Sequence, residues 1–134
     1  MAEEVPNGAT IQMGIGAVPE AFGMALLDKK DMGIHTELLT ESMIDMIEAG
    51  AVTNLQKPIH RGRTVATLAF GSKKVLDYIN DNPACEMLTV DYVNNPAVIA
   101  MHPNFISVNA ALEVDFYGQV CAESVGTRHV SGSG

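Results

Sequence analysis

Three times in its first 80 residues the chain passes from a short apolar run to a turn and then to a segment with helical spacing. This alternation constrains the fold more than any other feature. A strand that must hand over to a helix before the next strand cannot form a tight hairpin and is driven toward parallel pairing. Residues 9–13 (ATIQM) read as a strand ending in Gly14-Ile15-Gly16. Pro19 then stands at a first helical turn, Ala21, Phe22, Met24, Ala25, Leu26 and Leu27 supply the helix, and Gly33 closes it. Residues 34–37 form a second short strand, followed by a helix from about Glu41 to Ala49 that Gly50 stops. Residues 64–70 (TVATLAF) are a third strand, with Gly71-Ser72 as turn and cap before an amphipathic stretch over 73–80.

Beyond residue 80 the pattern loosens. Residues 86–90 read as a strand, 91–95 (DYVNN) as a polar loop and 96–100 as a helical turn opened by Pro96. Residues 105–114 and 119–125 read as a hairpin reversing at Asp115-Phe116-Tyr117-Gly118. A length of 134 residues, 47% hydrophobic and without Trp, suits one α/β core: helices packed on a mixed, largely parallel sheet. No apolar run approaches the roughly 20 residues that cross a bilayer, and the acidic start is not a signal peptide, so a cytoplasmic protein with no membrane partner is expected. With 16 acidic against 8 basic residues and a formal charge of −8, no basic cluster exists to track a phosphate backbone, which argues against nucleic acid. Cys85 and Cys121 fit no metal-ligand spacing and read as reduced thiols packed as small hydrophobes.

Chemistry is therefore sought at strand ends. The Gly14-Ile15-Gly16 loop lies between a strand and a helix, where backbone amides approach an anion or oxyanion closely, yet the same glycines also make an ordinary tight turn. Glu37 follows a short apolar strand and so falls at its carboxyl end, where open α/β sheets bind ligands; a solvated loop carboxylate has the same appearance. Strand alternation points His35 to the same face as Glu37, either as a hydrogen-bond partner or as core. His60, His102 and His129 are too scattered to build a metal site, and no metal is expected. Ser107, Ser124 and Ser131 stand in no nucleophile elbow.

Four ordered motifs carry a family likeness: residues 12–19 (QMGIGAVP), 33–37 (GIHTE), 90–96 (VDYVNNP), and 113–120 (EVDFYGQV) running into 131–134 (SGSG). Together they resemble the acetyl-CoA hydrolase/transferase family, and within it the members that exchange CoA between 4-hydroxybutyryl- or butyryl-CoA and acetate. The resemblance implies a CoA-transferase-like α/β fold and a role for Glu37 as the nucleophile that carries CoA as a glutamyl thioester. It places Asn94 beside that glutamate. It assigns Gly14, Ile15 and Gly16, together with Gly132 and Gly134, to the backbone that binds the thioester oxygen and the CoA arm, and groups His35 with them.

Coenzyme A is then substrate and covalent intermediate, with no tightly bound cofactor. The implied partners are acyl-CoA, short-chain carboxylates, an amino-terminal domain of the same enzyme, and further copies in a homo-oligomer. Residues 1–134 are expected to be the carboxy-terminal catalytic domain of that two-domain enzyme, cut short at its end. The acidity of the chain adds a demand: much of the positive charge that holds a polyanionic nucleotide is expected from outside these residues. An acyl-CoA hydrolase using the same intermediate, or a non-catalytic CoA-binding module, are the alternatives.

Overall fold

A computed structural model describes residues 1–132. Five strands, β1 (Thr10–Met13), β2 (Gly33–Leu39), β3 (Thr64–Ala69), β4 (Cys85–Met87) and β5 (Phe105–Val108), form one sheet in the order β4-β3-β2-β1-β5. Every ladder within it is parallel. Helices α1 (Ala17–Met24), α2 (Glu41–Glu48) and α3 (Lys73–Ile79) make the crossovers, and two one-turn helices, α4 (Val90–Val93) and α5 (Pro96–Ile99), lie between β4 and β5. The antiparallel pairs stand apart from the sheet as two small hairpins: β6 (Glu113–Val114) with β7 (Val120–Cys121), and β8 (Ser124–Val125) with β9 (Arg128–His129).

The core forms on one face of the sheet. Ile11, Met13, Ile34 and Ala66 from the strands pack with Leu26, Met43, Ile44, Met46 and Val75, all of them buried. Strand alternation sends the intervening residues to the opposite face. There Gln12 and Ser107 sit in register on β1 and β5, and His35 reaches α4. One face is thus a hydrophobic layer closed by three helices, and the other a polar layer only partly covered by α4 and α5.

Several boundaries differ from the sequence reading for physical reasons. Gly33 does not close α1, which ends at Met24; it is the first residue of β2. A Cβ at Gly33 would come within 2.7 Å of Lys57 Cγ and 2.9 Å of Thr10 Oγ1, so close packing fixes the glycine there. Residues 91–95 are not a loop, because Asp91 to Val93 belong to α4. The strand expected over 105–114 stops at Val108, where its pairing with β1 ends. The reversal at Asp115–Gly118 does occur, but between strands of two residues each.

The segment between α2 and β3 performs a task its composition conceals. The β2–β3 ladder begins only at His35↔Val65. Just before it, the Ile34 amide donates to Asn54 Oδ1 at 2.8 Å, and the Ile34 carbonyl accepts from Lys57 Nζ at 2.8 Å. Asn54 Nδ2 also donates to Thr64 Oγ1 at 3.1 Å and Lys57 Nζ to the Arg63 carbonyl at 2.7 Å, so both side chains reach across to the start of β3. They occupy the place of a missing backbone partner, and no buried peptide group of Ile34 is left unpaired.

Lys57 is 2% exposed, and burial pushes its ammonium down to about 8 despite the nearby Glu86 carboxylate. A folded-state pKa below the ordinary 10.5 means that the unfolded chain binds the proton more tightly. The contribution is full above about 10.5 and is lost as the pH falls through about 8. Urea denaturation of the wild type and of Lys57→Met should therefore show a free-energy difference that grows with pH across this window in favour of the wild type, by on the order of 3 kcal/mol. A difference independent of pH would mean that Lys57 titrates as if exposed.

Candidate active site

The carboxyl ends of the parallel strands collect the candidate residues. In open α/β sheets this edge is the ligand-binding side, especially where strand order reverses. Here β2, β3 and β4 lie successively on one side of β1, and β5 is added on its other side. A cleft of about 290 Å³ opens along this edge, walled by Gln12, His35, Thr36, Glu37, Val93, Asn94, Phe105, Ser107 and Asn109, among others.

Glu37 is partly exposed in this cleft, on a strand that continues to Leu39 and so holds it more firmly than the strand end expected from sequence. Asn94 reaches it from the end of α4, its Nδ2 donating to Glu37 Oε2 at 2.5 Å across 57 residues of sequence. On the opposite wall Gln12, Ser107 and Asn109 form a polar cluster: Ser107 Oγ donates to Gln12 Oε1 at 2.5 Å, and Asn109 Nδ2 donates to the same oxygen at 3.2 Å. No lysine or arginine is among the described residues lining the cleft.

His35 occupies a different position from the ligand-contacting one expected. It is 1% exposed in the floor of the cleft, and its Nε2 donates to the Val93 carbonyl at 2.8 Å. Its ring centroid lies 5.0 Å from that of His102, which is also buried, and Phe105 flanks both. Neither His102 nitrogen nor His35 Nδ1 makes a well-aligned hydrogen bond among the described residues, although the Val98 and Ile99 backbone lies close enough to His102 to oppose part of its shift. Burial pushes His35 down to about 4 and His102 in the same direction, with the Lys57 charge adding to both. His102, one of the three histidines that look scattered in sequence, is therefore a neighbour of His35, although no group of three or more metal-binding side chains exists among the described residues.

Gly14 abuts Asn109 of the cleft wall, where a Cβ would come within 2.6 Å of Asn109 Oδ1, but the rest of the glycine loop falls elsewhere. The Gly14 amide is committed to the Val108 carbonyl at 2.8 Å, and Ile15 and Gly16 line a separate hollow of about 360 Å³ with Glu20, Glu41 and Asp45. Gly16, at φ 112°, turns the chain off β1 toward α1 on the hydrophobic face, which takes the loop away from the wall beside Glu37. The larger hollow carries three carboxylates, a poor environment for a polyanion; the smaller cleft holds the paired Glu37 and Asn94. Gly132 is exposed and lines neither cavity, and Gly134 lies outside the described residues.

Sequence reasoning missed several side-chain contacts in the elements that support the cleft. Ring contacts join His60 to Tyr92 of α4, whose hydroxyl lies 2.7 Å from His60 Nε2. His60 Nδ1 and Arg63 Nη1 both bond the Glu86 carboxylate; burial raises that carboxyl, but these two bonds outweigh it and hold it below the usual range. Thr67 follows Ala66, the ladder partner of Thr36, and its hydroxyl is buried without a partner. Only Tyr92 sits in a motif, and none of these side chains lines the cleft itself.

Residues 71–134 match the family described as acetyl-CoA hydrolase/transferase C-terminal domain. Over 133 residues, 99% of this chain and 31% of the other, the sequence is 44% identical to 4-hydroxybutyrate coenzyme A transferase of Clostridium kluyveri. The chain is similar to members of the acetyl-CoA hydrolase/transferase family, whose C-terminal domain its residues 71–134 match. It is 48% identical to a probable butyrate:acetyl-CoA coenzyme A-transferase of Syntrophomonas wolfei, covering 98% of this chain and 30% of that protein. The fold matches the crystal structure of RipA from Yersinia pestis with a TM-score of 0.88 at 45% identity, over 91% of this chain and 28% of that one. The chain thus spans about 30% of the length of the curated relatives it matches.

The buried imidazoles make the cleft floor acid-sensitive. His35 titrates near 4 when folded and near its ordinary 6.5 when unfolded, so its contribution is present above 6.5 and is lost as the pH falls toward 4; the shift of His102 has the same sign. Denaturation measured between pH 7 and 4 should show a shallower loss of stability in His102→Leu than in the wild type. Identical slopes would show that His102 is solvated in solution.

Proposed function

We propose that this chain carries the nucleophile of a CoA-transferase: Glu37 accepts CoA from an acyl-CoA as a glutamyl thioester and yields it to a short-chain carboxylate. The observation that supports this most directly is the 2.5 Å contact from Asn94 Nδ2 to Glu37 Oε2 at the ligand-binding edge of a parallel sheet. Likeness to the family supplies the reaction class. Exchange between two acids needs no outside energy if the thioester bond is preserved, and a side-chain carboxylate can preserve it.

The sequence of steps balances. Ionised Glu37 attacks the acyl-CoA carbonyl, forming a mixed anhydride and expelling CoA thiolate. The thiolate attacks the glutamyl carbonyl of that anhydride, giving the Glu37–CoA thioester and releasing the first carboxylate. The acceptor carboxylate then attacks the thioester, and the freed thiolate attacks the acceptor's acyl carbon, which restores Glu37. Each addition places negative charge on a carbonyl oxygen. Asn94 is the donor in position to hold Glu37 and to meet that charge. Because no cation lines the described cleft, the positive charge for the nucleotide is assigned to the rest of the enzyme. On this reading CoA is a substrate and not a resident cofactor, in a cytoplasmic, homo-oligomeric enzyme.

Incubating the complete enzyme with acyl-CoA alone, trapping with hydroxylamine or a hydride reductant and mapping peptides should place the modification on Glu37. Glu37→Gln should abolish it, because an amide is a very poor nucleophile. A label on Glu41, Glu113 or Glu123, with Glu37→Gln still turning over, sinks the assignment. Asn94→Ala should lower kcat by about 10²–10³ with little change in unfolding, as loss of a direct oxyanion donor does. If the thioester instead decays in water as fast as it passes to added acetate, the enzyme is a hydrolase.

A further inference from the structure

Asn94 meets Glu37 only while α4 is held in place, and α4 has little means of holding itself. It is one turn, Val90–Val93, and its N-cap Thr89 makes no side-chain cap bond. Isolated helices shorter than about 12 residues are marginal in water, so outside contacts must fix this one. A helix also leaves its last carbonyls without an intrahelical donor. The Val93 carbonyl, immediately before Asn94, receives that donor from His35 Nε2 at 2.8 Å. A carbonyl only accepts, so Nε2 carries the hydrogen and the unpartnered Nδ1 is bare.

We propose that His35 is a positioning residue: its Nε2–H anchors the Val93 carbonyl and so sets Asn94 against Glu37. This rests on the reading of Glu37 and Asn94 given above. His35 and Glu37 lie on the same strand, so the element that carries the carboxylate also holds the turn that presents its partner. With its pKa pushed down to about 4, the ring keeps one neutral tautomer and one donor direction throughout the neutral range. His60, in contact with the Tyr92 hydroxyl, is a second tie on the same turn; loss of His35 therefore loosens α4 without releasing it. A displacement of Asn94 by on the order of 1 Å is enough to cost about 10²-fold in rate.

The test uses steady-state kinetics of the complete enzyme. His35→Leu keeps an apolar side chain and loses the donor, whereas His35→Gln returns an amide donor near the Nε2 position. His35→Leu should lower kcat by about 10–100-fold while KM for acyl-CoA moves less than about twofold, and His35→Gln should recover most of the loss. In an Asn94→Ala background, His35→Leu should cost less than about twofold more, because the group it positions is gone. If His35→Leu does not fold, His35→Asn, whose amide is too short to reach the carbonyl, takes its place. Equal losses in both backgrounds, or a glutamine no better than leucine, overturn the proposal while Glu37 still labels and Asn94→Ala is still impaired. A wild-type rate in Asn94→Ala, or an unlabelled Glu37, removes the earlier reading instead.

Discussion

The placement of β2 depends on two side chains that stand in for a backbone. Asn54 and Lys57 bond the amide and the carbonyl of Ile34 just before the β2–β3 ladder begins, and they continue to Thr64, the first residue of β3, and to Arg63 immediately before it. Ladder register in a sheet is all or nothing: a slip of one residue exchanges the two faces. Here such a slip would send Ile34 to the polar layer and would turn His35 and Glu37 into the hydrophobic one. The bonds at Ile34 therefore act at a distance, fixing the direction of a carboxylate three residues further along the strand.

From that register the rest of the cleft follows. His35 points to the face where α4 lies, Glu37 points to the same side two residues on, and the return of β5 beside β1 supplies the opposite wall. The polar layer is thinly covered by two one-turn helices, which leaves the carboxylate accessible and also leaves its partner dependent on side-chain ties. Accessibility and order are thus met by different groups. The sheet provides the rigid carboxylate, and two histidines, buried His35 and half-buried His60, tie the short turn that faces it.

The sequence was legible where local chemistry and tertiary structure agree. The βα alternation, the caps around α3 and the glutamate near a strand end all arise from periodicity and turn residues, and each has its counterpart in the fold. Legibility failed where tertiary contacts decide. Residues 91–95 look like a polar loop because a single turn is too short to display a period, and only packing on β2 and β3 makes Asp91 to Val93 helical. Lys57 looks like a solvated loop lysine before a proline, since nothing local announces that its ammonium will be buried against two carbonyls. Gly33 looks like a helix stop because a glycine required by close packing is indistinguishable in sequence from one required by a turn. The glycine loop after β1 was read for its amides, whereas its path is decided by the helix it feeds.

The hairpins formed by β6–β7 and β8–β9 contribute no residue to the buried core, and Phe116 and Tyr117 stand almost wholly in solvent at the tip of the first. Cooperative units of a protein open with free energies that track their buried apolar contacts. In hydrogen exchange this chain should accordingly resolve into two tiers: amides of the parallel ladder protected to near the global unfolding limit, and amides beyond residue 110 exchanging through openings that leave the ladder intact. The segment richest in exposed aromatics is then the one that a neighbouring surface can order at least expense to the sheet that carries Glu37.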